Sequence, residues 1–135
     1  KARSANESGH TNYESHLHLL FDPPFELGLR VYREGFWSKV GKTIFRTQDI
    51  QTGHRDLDDQ VMIKGSEVRG VEDLLSTLVV QDSLLALFNH SADFRVEDHG
   101  IRYVESAECF DVESVRAALE VMADAADSLM EKRGS

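Results

Sequence analysis

At 135 residues, 41% hydrophobic and 29% charged, the chain has the size and composition of one globular domain and lies outside the disordered range. A net charge of −9 repels nucleic-acid phosphates, so no nucleic-acid partner is expected. No apolar run approaches the ~18 residues of a membrane span. The lone cysteine, Cys109, excludes an internal disulfide and fits a reducing, cytoplasmic setting.

Residues 1–12 are polar and aperiodic, the pattern of a disordered leader or linker, and residues 13–133 are expected to form a single domain. The first strand is predicted in 'SHLHLLF', where Leu17, Leu19 and Phe21 point one way and His16, His18 and Leu20 the other. Pro23 and Pro24 end it. A second strand, antiparallel to the first, is predicted through 'FELGLRVYRE', with Phe25, Leu27, Leu29 and Val31 on one face. In 35–46 the period changes: Phe36, Trp37, Val40, Ile44 and Phe45 recur at three- and four-residue steps, predicting a short amphipathic helix. A turn over Gln48–Gln51, with Ile50 anchored inward, and a polar loop or single helical turn follow. 'QVMIKG' then supplies a strand with Val61 and Ile63 on the core side.

Ser66 is the expected N-cap of a helix whose stripe is Val68, Val71, Leu74, Leu75 and Leu78, and Gln81–His90 continues as a further helix. 'DFRVEDHGIRYVE' predicts a hairpin turning at 97–100, where Gly100 would take positive φ. From Asp111, an N-cap, to Arg133 the repeat of Val115, Leu119, Met122, Ala126 and Leu129 predicts a long helix, with Leu119 and Met122 buried against the sheet. The fold class is therefore α+β: an antiparallel sheet of about five strands with helices, including the long C-terminal one, on one face.

Several residues suggest chemistry. His16 and His18 share a strand face, a spacing that can ligate zinc or iron, but a third ligand (His54, His90, His99 or a carboxylate) has no recognised spacing from them. 'HRDLDD' at 54–59 echoes a kinase catalytic loop, yet the glycine-rich loop and strand lysine of a kinase are missing. Asp56, Asp58 and Asp59 fit capping better than cation binding. Cys109 precedes a helix, where the field lowers a thiol pKa, but no local motif makes it a nucleophile. The strongest charge pattern is Arg30, Arg33, Lys39, Lys42 and Arg46 against Glu34 alone, a local net of +4 that leaves −13 for the rest. With Trp37 among them, these residues read as a docking surface for an acidic protein partner or an anionic membrane.

Residues 25–65 carry Glu34-Gly35, Ser38, Val40-Gly41-Lys42, Gln48-Asp49-Ile50-Gln51, Gly53 and Lys64-Gly65. This resembles a family of uncharacterised bacterial domains with an E-G-x-x-S-x-[LV]-G-[KR] stretch, a Q-D-[IV]-Q-x-G run, an acidic turn and a strand ending in K-G. The resemblance implies membrane segments elsewhere in the chain, and no reaction or cofactor. Gly53-His54 departs from the family's Gly-Asp pair. The expectation is a non-catalytic interaction or regulatory domain with no cofactor, cytoplasmic and tethered to a membrane through parts of the chain outside this sequence. The alternative is a small metal-dependent hydrolase using His16, His18, His54 and nearby aspartates.

Overall fold

The computed structural model describes residues 14–33, 50–106 and 112–134. Five strands, β1 (Glu14–Leu20), β2 (Arg30–Arg33), β3 (Val61–Lys64), β4 (Phe94–Glu97) and β5 (Gly100–Ser106), form one sheet in the order β1-β5-β4-β2-β3, every neighbouring pair antiparallel. The helices are α1 (Arg55–Gln60), α2 (Val68–Leu74), α3 (Leu78–His90) and α4 (Val112–Gly134). The α+β class with a long C-terminal helix is as the sequence predicts.

The core explains the layering. Val31, Ile63, Val96, Ile101 and Tyr103 alternate onto one face of the sheet and join Leu57, Val71, Leu84, Phe88 and Met122 of the helices in one buried cluster. The opposite face carries no described helix.

The second strand is shorter than its alternation suggests. Gly28 takes φ +67°, which breaks the pleat, and the Asp98 carboxylate accepts the amide protons of Leu27 (3.2 Å), Gly28 (2.9 Å) and Leu29 (2.9 Å). The amides of Phe21 and Phe25 donate to the carbonyls of His99 and Asp98. Residues 21–29 thus wrap the β4–β5 turn instead of joining a ladder. β2 runs opposite to β1 as expected, but two strands separate them.

The hairpin is as predicted, with Glu97 opposite Gly100 and a two-residue turn at Asp98-His99. The reason for Gly100 differs, because its φ is not positive: the glycines with positive φ among the described residues are Gly28 and Gly53. A Cβ on Gly100 would run into the Leu19 carbonyl and lie 3.0 Å from the Leu20 Cα, so it is close approach by β1 that demands glycine.

Three helix expectations need correction. Ser66 does not cap α2; its hydroxyl donates to the Leu27 carbonyl (3.2 Å), and Glu67 holds the cap position with no side-chain bond. Val68 and Leu78 are exposed; the chain breaks at Leu75–Thr77, which takes Leu78 out of the first helix's stripe, and α3 restarts with Thr77 accepting from the Val80 amide (3.4 Å). In α4, Met122 is 0% exposed but Leu119 is 41% exposed. The buried stripe is Ala118, Met122, Ala125, Ala126 and Leu129, and its small residues allow α4 to pack closely on α3. Leu119 instead joins Val112 and Val115 along a shallow apolar groove of about 410 Å³.

The predicted helix at 35–46, Gln48, Asp49, Cys109 and Asp111 lie outside the described residues. Ile50 is buried, as expected, and its amide donates to the Ile63 carbonyl (2.8 Å), adding a bond to the outer edge of β3.

Candidate binding surface on the cationic face of the sheet

Strand alternation fixes which side chains face outward, and the registers line them up across the sheet. One row reads Leu20, Gly100, Glu97, Arg30, Lys64, and the next reads His18, Arg102, Arg95, Tyr32, Met62. Together the two rows carry four cations, Arg30, Lys64, Arg95 and Arg102, against one carboxylate, Glu97, on a protein of net charge −9. Like charges stand directly opposite each other twice, Arg30 with Lys64 and Arg95 with Arg102, an arrangement that costs stability.

Glu97 is shared. Its Oε1 lies 3.6 Å from Arg102 Nη2 and 3.4 Å from His99 Nε2. Burial and then the Arg102 charge push the Arg95 pKa down, outweighing Glu97. His18 is likewise held below its usual value by burial first, then Arg102, then His99, with His16 adding to this and Glu97 opposing it. The His18 and His99 rings sit edge-on with centroids 6.3 Å apart. Arg102 Nε is buried with no hydrogen-bond partner among the described residues.

Beside these rows opens a cleft of about 880 Å³, lined by Arg30, Lys64, Glu97 and His99 together with Gln51 and Glu72. Lys64 is recessed, only 2% exposed. Asp98 also borders the cleft, but its carboxylate is committed to the amides of residues 27–29. That bracing fixes the backbone just before Arg30.

Of the residues singled out from sequence, Arg30 lies on this outward face. Arg33 does not: it points to the opposite face, where its Nη1 donates to the Phe88 carbonyl (2.9 Å) and ties β2 to α3. Trp37, Lys39, Lys42 and Arg46 lie outside the described residues. His16 and His18 face outward from β1 at one edge of the sheet. His54 precedes α1 and β3 at the other edge, and four strand spacings come to about 19 Å. There its Nδ1 accepts from the Leu57 amide and its Nε2 lies 3.4 Å from Asp82. The three histidines are therefore not brought together, and among the described residues no group of three His, Cys, Asp or Glu side chains is placed to hold a metal. Asp58 serves the chain itself, accepting from the amides of Thr52 and Gly53 and from the Thr52 hydroxyl.

Sequence reasoning passed over Arg95, Arg102 and Lys64. The hairpin register alone places Arg95 opposite Arg102, so that pair was within reach. Lys64 required the strand order, since β2 and β3 are separated by α1 in the chain.

The fold and this surface define an α+β domain with one sheet face packed on helices and a second face that carries Arg30, Lys64, Arg95 and Arg102. No family model matches the chain, and no curated protein or solved structure is significantly similar to it. Among the described residues, no helix is long and apolar enough to cross a membrane.

Proposed function

We propose that this domain is a non-catalytic interaction module that holds an acidic segment of a protein partner against the cationic face of its sheet. The observation behind this reading is the two outward rows, in which cations stand opposite cations on an otherwise acidic protein. Like charges directly opposite each other cost stability, and a partner's carboxylates laid beside them would offset part of that cost. The depth of the cations favours a protein over a membrane. Arg95 and Arg102 are half-buried, so a planar leaflet meets only the rim, whereas single carboxylate side chains can reach them. The −9 net charge turns the remaining surface away from an acidic partner and favours one orientation. The lone cysteine supports a cytoplasmic setting, and the family resemblance supports tethering to a membrane by parts of the chain outside this sequence.

The test is fluorescence anisotropy with a labelled glutamate-rich peptide, comparing the parent with the double variant Arg95→Glu, Arg102→Glu at low and high salt. Salt-sensitive binding that the variant loses is expected. Equal binding by both proteins, or binding only to anionic vesicles, contradicts the reading.

A further inference from the structure

We infer that the outer edge of β1 is a docking site for an extended segment of a partner protein, which pairs with it as a further strand and alternates acidic with apolar residues. This goes beyond the acidic-segment reading above and does not depend on it.

β1 ends the described sheet on one side, and its register fixes which backbone groups face outward. The Phe21 amide donates to the His99 carbonyl, and these two stand opposite each other when the β1–β5 register is continued by one residue. Bonded and non-bonded pairs alternate in an antiparallel ladder. Leu19 and Leu17 therefore bond to Ile101 and Tyr103, while His18 and Leu20 turn their N–H and C=O groups away from β5. Among the described residues no backbone group meets them from the other side. Leu20 is 66% exposed and His18 is exposed, so this end of the edge is accessible. Such an edge is a template for another strand, and proteins commonly blunt it with lysine, proline, a bulge or short length. The seven residues of β1 include neither lysine nor proline, and their register with β5 runs without a bulge.

An unpaired backbone edge selects extended chain, and the flanking side chains select its sequence. A strand laid on this edge sends alternate side chains to the two faces of the sheet. Those opposite Leu17 and Leu19 fall on the helix side, where both leucines are only half-buried, and apolar residues there cover them. The residue opposite His18 falls beside the exposed imidazole. Burial lowers the His18 pKa first, and then Arg102, which acts more strongly than Glu97 opposes it. The charges around the ring thus suit an acidic neighbour. A second copy of the chain is the other natural occupant of an edge, and charge disfavours it. Over its full length, β1 paired with an antiparallel copy sets His18 of one opposite His16 of the other, between two bodies each of net charge −9.

The probe is a short peptide alternating glutamate and leucine, with a control of the same composition arranged in two blocks. Hydrogen exchange followed by NMR is the first readout. The alternating peptide should slow exchange of the His18 and Leu20 amides about tenfold or more, leaving those of Leu17 and Leu19, already bonded to β5, unchanged. No slowing, or the same slowing with the block peptide, overturns the edge. The second readout uses peptides N-methylated at alternate amides. Methylation in one phase removes the donors that face β1 and should weaken binding about tenfold or more, whereas the other phase should leave it within about twofold. Equal effects of the two phases overturn strand pairing. Binding that ignores methylation but is lost in Arg95→Glu, Arg102→Glu overturns the edge while supporting the acidic-segment reading. His18→Pro removes an outward donor with no described partner and should abolish binding, and the methylated peptides keep the test intact if that variant misfolds. Self-association in sedimentation that His18→Pro removes assigns the edge to a second copy and overturns the partner.

Discussion

Removing the Asp98 carboxylate should loosen the ledge on which Arg30 stands. In Asp98→Ala the amides of Leu27, Gly28 and Leu29 lose their acceptor together. A hydrogen bond to a charged group contributes ~1.5–3 kcal/mol when buried. Here the Gly28 bond is exposed and the other two are part-buried, and water replaces some of what is lost, so about 3 kcal/mol is the expected total. Asp98→Asn is the sharper variant. One oxygen accepts from Leu27 and Leu29 and the other from Gly28, so an amide keeps at most two of the three bonds and turns a donor toward a donor. Its cost should be about 1–2 kcal/mol. Urea unfolding measures both: at a slope of about 1.5 kcal/mol per molar, Asp98→Ala should lower the midpoint by about 2 M. Asparagine should fall between parent and alanine. A shift under about 0.3 M for alanine, or asparagine matching the parent, would refute the claim that the carboxylate braces residues 27–29.

The corrected face of α4 predicts that Met122→Ala costs about 2–5 kcal/mol, while Leu119→Ala costs under about 1 kcal/mol; the reverse order in chemical denaturation would restore the sequence-based register. Gly100→Ala should destabilise through contact with the β1 backbone, and Gly53→Ala, with open space around it but φ +92°, by about 1 kcal/mol through strain alone. Calorimetry orders the two, and a neutral Gly100→Ala would contradict the close approach of β1. Because the folded-state pKa of His18 lies below the unfolded value of 6.5, the unfolded chain binds more protons in that window. The parent should therefore lose stability relative to His18→Gln as pH falls below 6.5. A relative gain on acidification would reverse the sign of the field at His18.

The fold was legible wherever periodicity and local turn chemistry agreed. The β4–β5 hairpin follows from alternation on both sides of a short polar turn, and α4 from a repeat sustained over about four turns. β2 misled because Phe25, Leu27 and Leu29 alternate and are largely buried. Yet they are buried by wrapping a hairpin tip about seventy residues later in the chain, and local sequence does not report that Asp98 accepts their amide protons. Leu119 misled because hydrophobicity draws attention to large residues, while the contact face of α4 is set by alanines. The candidate surface was hidden for a related reason. Its cations come from β2, β3, β4 and β5, and only strand order brings Arg30 beside Lys64. The cationic run that stood out in the sequence contributes Arg30 to this face, while Arg33 on the same short strand points into the other.

The most direct test of the central claim is a map of where an acidic partner touches the domain. Backbone amide shifts recorded by NMR during titration with a glutamate-rich peptide should move along β2, β4 and β5 around Arg30, Arg95 and Arg102, and should stay still in Arg95→Glu, Arg102→Glu. Shifts centred instead on the α4 groove around Val112 and Leu119, or shifts that persist in the charge-reversed variant, would contradict the cationic sheet face as the binding surface.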